Sequence, residues 1–334
     1  MQTMDTATLY ALAKDRPLQG PEIHPVNQFY GHAAIIKRFL GIRPEYPLKV
    51  MLEHAPSVRE YLWKVEEHSR LPFLLCASER YAAYFNARNA GGKTAIPIGP
   101  YPAYMDPPPP TSRRRERTLL LFPKHSTHHI HVTCDTAQFL KHIGDTAGRF
   151  DRVVACLYWK DILLGRDEEY RRAGMELVTA GHMFDDGFLP RLMAIIDMAD
   201  LVVSSHPGTD VSYSVLRGKP VLVVKNRDRL EYTDPVLEAE HKKSLATANE
   251  MQRTYPLVFT EPLDAPTPAQ VELVRGLCGM ANVKTRQELF DIVSEAEERY
   301  CRKHGLPFAP PPRLEDDAPP RVPATAEGCR HVCR

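Results

Sequence analysis

The residues best suited to chemistry lie between Asp200 and Val224. Val202 and Val203 belong to an apolar β-branched run too short for a helix, which fits a buried parallel strand. Ser204, Ser205, His206, Gly208 and Thr209 follow at its carboxyl end, the side on which an open α/β sheet keeps its ligand crevice. Small side chains there allow close approach. The helix that follows starts with free N–H groups and the positive end of its dipole. Such a turn suits an anion, above all a nucleotide phosphate; an ordinary βαβ turn without a ligand has the same sequence pattern. Pro207 restricts His206 to extended conformations, so His206 is either a turn residue or a ligand contact. Gly218 to Pro220 then closes the helix and launches the next strand.

A second cluster, Lys124 to His131, holds four histidines together with Ser126 and Thr127. Hydroxyls and imidazoles at a strand's carboxyl end can donate to a phosphate or a sugar, and His125, Ser126 and Thr127 are the first choices. Zinc is the other chemistry open to such a run, but the spacing matches no familiar finger pattern, so no metal site is assigned. A plain surface loop is the bland alternative. Tyr158, Lys160 and Asp161 end a neighbouring strand, where an exposed Lys–Asp ion pair is expected. Glu53 and His54 follow the strand Lys49 to Leu52. His32 stands at a helix start, where it either caps and packs or touches a ligand, and Ser78 reads as an N-cap.

These side chains need a scaffold of alternating elements, and the chain supplies one. Strands are expected at Thr118–Phe122, Arg152–Tyr158, Met175–Thr179 and Val221–Val224, besides the one at Val202. Helices fall between them at Thr136–Ala147, Arg166–Ala173 and Phe188–Met198. Strands alternating with helices imply right-handed crossovers and a parallel sheet covered on both faces. The first hundred residues repeat the alternation more faintly. Helices are expected at Gly31–Leu40, Val58–His68 and Glu79–Arg88, and strands at Lys49–Leu52, Phe73–Ala77 and Thr94–Ile96. Two further helices, Thr267–Gly279 and Thr285–Lys303, close the body. Pro107 to Pro110 cannot lie inside a helix or a central strand. The expected organisation is therefore an α/β domain over 1–106, a Pro/Arg-rich linker over 107–117, a second α/β domain over 118–305 and a disordered tail over 306–334. A cleft is expected between the domains.

Composition narrows the classes. With 334 residues, the chain is long enough for two cored domains. Lys plus Arg number 43 against 42 Asp plus Glu, which argues against nucleic acid as a partner. No run of about 18 apolar residues suggests a spanning helix, and the polar start lacks the pattern of a signal peptide. Seven cysteines, mostly scattered singly, read as reduced thiols in the cytoplasm. Cys329 and Cys333 form a pair with no matching second pair. A Gly-rich dinucleotide loop is absent, which argues against a nicotinamide enzyme.

Two Rossmann-like domains with the phosphate-type turn in the second resemble the GT-B class of glycosyltransferases. The segments Asn27–Arg38, Glu53–Ala55, Phe122–His128, Cys156–Asp161, Val178–His182 and Gly208–Pro220 look like those of bacterial capsule and surface-polysaccharide proteins. These are similar in turn to the CDP-glycerol glycerophosphotransferase and UDP-N-acetylglucosamine 2-epimerase branch. The resemblance covers about residues 25–225, and the first domain is short for the class. It implies a nucleotide-sugar donor bound mainly by the second domain, a glycan or lipid-linked acceptor, and no obligatory metal or resident cofactor. Peripheral membrane association is compatible with such an acceptor. By this analogy His182 meets the nucleotide's base or ribose, or is a structural histidine. An inverting transferase also needs a general base for the acceptor hydroxyl; His54 is the first choice and Glu53 the second. A sugar-nucleotide epimerase of the same fold and a non-catalytic transferase-like scaffold are the rival readings.

Overall fold

The computed structural model describes residues 4–18, 20–58, 60–88, 92–107, 116–236, 238–239, 242 and 249–314. Two parallel sheets organise the chain, so the α/β class expected from the alternation is what the backbone adopts. The first sheet has the order β1 (Val50–Leu52), β2 (Phe73–Cys76), β3 (Thr94–Pro97), all parallel. The second has five parallel strands: β4 (Thr118–Phe122), β6 (Arg152–Cys156), β7 (Glu176–Val178), β8 (Leu201–Ser204) and β9 (Val221–Val223). Their spatial order is β7-β6-β4-β8-β9. After β4 the chain steps outward through β6 and β7, then returns to the other flank of β4 with β8 and β9. The switch point thus lies between β4 and β8, where parallel sheets open their crevice.

Strand periodicity divides the core. Leu119 and Leu121 of β4 face one layer with Phe139 and Ala155, whereas Leu120 and Phe122 face another with Val154 and Val202. That second layer does not stop at the sheet. It continues into Val50, Leu52, Phe73 and Leu75 of the first sheet, so the two sheets share one apolar core. A third layer, with Met51, Leu74, Tyr81 and Phe85, covers the far face of the first sheet.

The helices follow from their caps and apolar stripes. They are α1 (Thr6–Ala13), α2 (His32–Leu40), α3 (Lys64–His68), α4 (Glu79–Arg88) and α5 (Thr136–Ala147), with α6 (Trp159–Leu163), α7 (Asp167–Arg172), α8 (Phe188–Asp197) and α9 (Thr209–Leu216) behind them. Three more follow: α10 (Glu250–Thr254), α11 (Pro268–Leu277) and α12 (Arg286–His304). Asp135 caps α5 by accepting from the Gln138 amide at 2.9 Å, and Thr285 and Glu288 form a capping box on α12. Ser78 accepts from the Tyr81 amide at 3.4 Å, the N-cap role expected of it.

Four local expectations differ from the structure. The helix expected from Val58 starts only at Lys64, and the carbonyls of Ser57 and Val58 are taken by Arg80 and Asn249, which donate to them from outside the segment. The histidine run ends in a strand, β5 (Ile130–Cys134), which pairs antiparallel with β10 (Asp228–Tyr232) in a two-stranded ribbon beside the main sheet. α1 was not anticipated; it packs on α6 and buries Leu9 and Ala13. The end of the chain over 306–314 is also structured. Pro311 is buried, Arg313 bridges to Ile42, and its guanidinium lies over Phe290. Residues 108–115 of the linker and 315–334 of the tail, with Cys329 and Cys333, lie outside the described residues.

Candidate functional site

Loops leaving the carboxyl ends of both sheets meet in a cluster of imidazole and phenol rings. β1 delivers Glu53 and His54, β4 delivers Lys124 and His125, β6 delivers Tyr158, and β8 delivers His206. His54 packs edge-on against Tyr30 at 5.3 Å and Phe29 at 5.6 Å between centroids. Tyr30 lies 4.7 Å from Phe188 and bonds through its hydroxyl to Tyr158. Tyr158 stacks obliquely on His125 at 4.2 Å, and His125 stands 6.0 Å from His206. The rings therefore form a path from the first sheet to the switch point of the second.

Tyr30 enters this path through its backbone. It is the one non-glycine residue with positive φ among the described residues, at 58°, a conformation that costs energy in a residue with a bulky side chain. The surrounding chain holds it there. Its amide donates to the Met183 carbonyl, and Gly31, at φ 78°, leaves no room for a Cβ, which would stand 2.2 Å from the Asp186 carbonyl oxygen. Asn27 anchors the same loop to β1. Its amide group donates to the Val50 carbonyl and accepts from the Leu52 N–H, both at 2.8 Å, as a neighbouring strand would. Beneath it, Lys37 and Glu22 form a buried ion pair.

Electrostatics in the cluster favour neutral rings. Burial, with His125 nearby, pulls His54 down to about 4. Burial also lowers His125 and holds His32 well below the ordinary imidazole range. His32 is 2% exposed, stacks on Tyr101 at 3.9 Å, and its Nδ1 has no hydrogen-bond partner. Glu53 points elsewhere. Its Oε2 accepts from the Ala77 amide at 2.6 Å beside the start of α4, and burial raises it to about 8. A carboxyl in that setting orders the end of β2, while the Glu53 carbonyl accepts from the hydroxyl of Tyr101, which stacks on His32.

The histidine loop is pinned from beneath. Ser126 is fully buried, and its Oγ accepts from the Val132 amide at 3.0 Å and from Arg166 at 2.8 Å. Asp161 takes the Ser126 amide and the same Arg166, so it is a buried partner of arginine and not the exposed partner of Lys160 that was expected. Thr127 closes a local turn by accepting from the His129 and Ile130 amides. Ser126 and Thr127 thus shape the loop, and His125 is the member of the trio that reaches the other rings. Among the described residues, no group of three or more His, Cys, Asp or Glu is placed to hold a metal ion.

His182 is spent on structure. Its Nδ1 accepts from the Phe184 amide at 3.1 Å, its Nε2 faces Asp15 at 3.2 Å, and its ring lies 4.0 Å from Trp159. Its own amide bonds to the Leu12 carbonyl, which ties the segment after β7 to α1.

At the switch point the turn is closed on itself. The Ser205 Oγ accepts from the Lys124 amide at 2.6 Å and joins the two loops, and the Ser204 hydroxyl donates to the His206 carbonyl at 2.7 Å. Thr209 is the first residue of α9. Gly208 is extended, with φ −94°, so backbone conformation does not demand glycine there. Space does. A Cβ would lie 2.3 Å from Asp210 Oδ1 and 2.8 Å from His206 Nε2. Gly208→Ala is therefore expected to push both side chains aside and to cost about 1–3 kcal/mol of stability, as overpacking does. Urea denaturation checks this, and a variant as stable as the wild type would show that both side chains move without cost.

Sequence reasoning missed Tyr30 and Asp210. A tyrosine held at positive φ by contacts as distant as Met183 leaves no compositional trace, and Asp210 reads as a simple first-turn acid.

No family model matches the chain, and no curated protein matches it. Two solved structures are similar in part. The glycotransferase of kitacinnamycin shares 17% identity over 67% of this chain and 55% of its own, with a TM-score of 0.33. The GtfA/B complex shares 12% over 74% of this chain and 52% of its own, also at 0.33. The chain spans about half the length of each. No helix among the described residues is long and apolar enough to cross a membrane.

Proposed function

We propose that the chain is a glycosyltransferase of the GT-B kind that moves a sugar, or a related polyol phosphate, from a nucleotide donor to a surface-glycan precursor. One observation carries the reading: the carboxyl ends of two parallel sheets supply the members of a single cluster of imidazoles and phenols, at the switch point of the larger sheet, in which burial lowers His54 and His125. Acceptor activation needs a neutral base, and departure of a nucleotide needs donors toward its phosphate. His54, on the first sheet, takes the proton of the acceptor hydroxyl. Lys124, His125 and His206, on the loops of the second, face the leaving phosphate. Gathering both substrates on one constellation converts a bimolecular reaction into one between aligned partners. The resemblance in sequence supplies the substrate class.

The test is a thermal-shift panel of nucleoside diphosphates and nucleotide sugars on the full chain, followed by transfer assays with the donor that binds. A ligand selective for the native state raises the melting point by mass action. A donor that stabilises the protein and is turned over only with an acceptor supports the reading; turnover of the nucleotide sugar alone would identify an epimerase, and absence of any shift would remove the donor site. The resemblance assigns no metal to the reaction, so EDTA is expected to leave the transfer rate unchanged. A rate lost to chelation and restored by a divalent ion would overturn that part.

A further inference from the structure

We propose that Glu66 is a proton-operated latch on the segment Tyr61–Trp63. As a carboxylic acid it leaves the Tyr81 proton to the Tyr61 carbonyl and keeps Trp63 against His54; as a carboxylate it takes that proton and releases the segment. The latch goes beyond the transferase reading and does not depend on it; that the ring it covers is the base of the reaction does.

The geometry turns on one proton. Tyr81 belongs to α4, and its Oη lies 2.8 Å from the Tyr61 carbonyl and 3.3 Å from Glu66 Oε2. A phenol carries a single proton, and a backbone carbonyl only accepts. With that proton on the shorter contact, the longer one is attractive only if Glu66 brings a proton of its own. An ionised Glu66 reverses the assignment, because hydrogen bonds to a charged acceptor are about twice as strong as neutral ones. The Tyr81 hydroxyl then turns to Glu66, and the Tyr61 carbonyl loses its donor. The net change is one proton from Glu66 to water and a new acceptor for the Tyr81 O–H.

Burial sets the resting state. Glu66 is 1% exposed, and its Oε1 is sealed without a hydrogen-bond partner. Its Oε2 accepts from the Trp63 amide at 3.3 Å, at the first turn of α3. A buried carboxylate needs a cation or several donors, and a neutral acid does not. Lys93 is the cation that acts on it, but its ammonium donates to the backbone carbonyls of Glu66, Glu67 and Ser69. The other charged and titratable groups facing Glu66 are Glu67 on its own helix, Tyr81 on α4, Glu53 just after β1 and Cys76 at the end of β2. Glu53 is itself a buried acid, so the two carboxyls oppose each other's ionisation. Burial raises Glu66 to about 7 and Glu53 to about 8, which makes Glu66 the first to ionise as the pH passes neutrality.

The segment so held bears on the ring cluster. Trp63 is half-exposed, and its ring lies 5.9 Å from that of His54 and 5.2 Å, edge-on, from that of Tyr61. His54, at about 4, does not titrate in this range. The latch therefore alters the cover of the imidazole and leaves its protonation alone.

The chain has two tryptophans, so Trp63→Phe subtracts the signal of Trp159 and fluorescence tests the latch directly. Emission and acrylamide quenching of Trp63 are followed from pH 5.5 to 9 in the wild-type chain, Glu66→Gln and Tyr81→Phe, each against the same chain with Trp63→Phe. The expected wild-type result is one transition near pH 7, with the indole more open to the quencher on the alkaline side. Glu66→Gln, whose neutral side chain competes no better for the Tyr81 proton at any pH, should stay in the acid-side state and lose the transition. Tyr81→Phe should lose it too and stay in the alkaline-side state. A flat wild-type curve, a transition that survives in Glu66→Gln, or a glutamine variant fixed in the alkaline-side state would each overturn the latch. So would a wild-type transition in Tyr81→Phe, the variant that settles the question if circular dichroism shows Glu66→Gln unfolded. Since no substrate enters the measurement, none of these outcomes depends on transfer activity.

Discussion

His54→Gln is expected to lower kcat for transfer by about 10²–10⁴, the usual worth of a positioned general base, with little change in donor affinity. His54 follows β1 and lies against Tyr30, Phe29 and Trp63. Burial holds it neutral, at about 4 in the unliganded protein, so its ring nitrogen is available as a proton acceptor throughout the neutral range. A bound diphosphate raises that value through its negative charge, toward the working pH. The rate is therefore expected to hold above neutrality and to fall on acidification, as the imidazole takes up its proton. His54→Gln should lack that acidic limb, a signature that loss of packing alone would not produce. A glutamine variant with the wild-type rate and pH profile would move the role elsewhere, with His32 and His125, whose imidazoles burial also lowers, as the next candidates. Stability has the same sign. An unfolded histidine titrates near 6.5, and His24 and His54 are both held at about 4 in the fold. Below about pH 6.5 these two imidazoles alone make the unfolded state bind more protons, a contribution that lowers stability down to pH 4; Glu53 and Glu66, which burial raises to about 8 and about 7, act in the opposite sense.

The second large effect concerns Lys37 and Glu22, whose side chains are 5% and 2% exposed. Lys37 also donates to the Pro44 carbonyl at 2.8 Å, and Glu22 Oε2 accepts from the Leu48 amide and from Asn27. Lys37→Met leaves Glu22 as an uncompensated buried charge and is expected to cost about 3–5 kcal/mol. Removing both charges with Lys37→Met and Glu22→Leu should recover much of this, because the cost lies in the stranded carboxylate. Urea denaturation of the three variants measures it. A single variant within 1 kcal/mol of wild type, on the scale of an exposed pair, would show that Glu22 reaches water. The loss should extend to function, since Glu22 holds Asn27, and Asn27 holds the loop that carries Tyr30.

Much of the second sheet was legible because buried parallel strands read as short apolar runs between helices with ordinary stop signals. Thr118–Phe122 and Thr136–Ala147 match the observed elements residue for residue. β5 was hidden because its inward residues, Ile130 and Val132, alternate with a histidine and a threonine inside a run that looked wholly polar. The late start of the helix at Lys64 was illegible for another reason: Arg80 and Asn249, which hold the Ser57 and Val58 carbonyls, lie up to 191 residues away. The site divides along the same line. Which loops carry chemistry follows from strand order. Which members of a loop face the ligand does not: Ser126 and His125 are adjacent, yet one is a bracket for Arg166 and the other a member of the ring path.

The last helix has a bearing on modular exchange. α12 contacts α2 and β1 of the first sheet, and Gly279 sits so close to the Ala77 carbonyl oxygen that a Cβ would lie 1.9 Å from it. Leu289, Val293 and Ala296 belong to the core that Val50 and Leu52 begin. The core beneath the first sheet is thus completed by α12, with the second sheet falling between the two in sequence. A chimera that joined residues 1–106 to a foreign donor-binding half would strip that core of its cover. Specificity in this protein would have to diversify by change within loops, and a workable graft must carry residues 279–314 together with the amino-terminal portion.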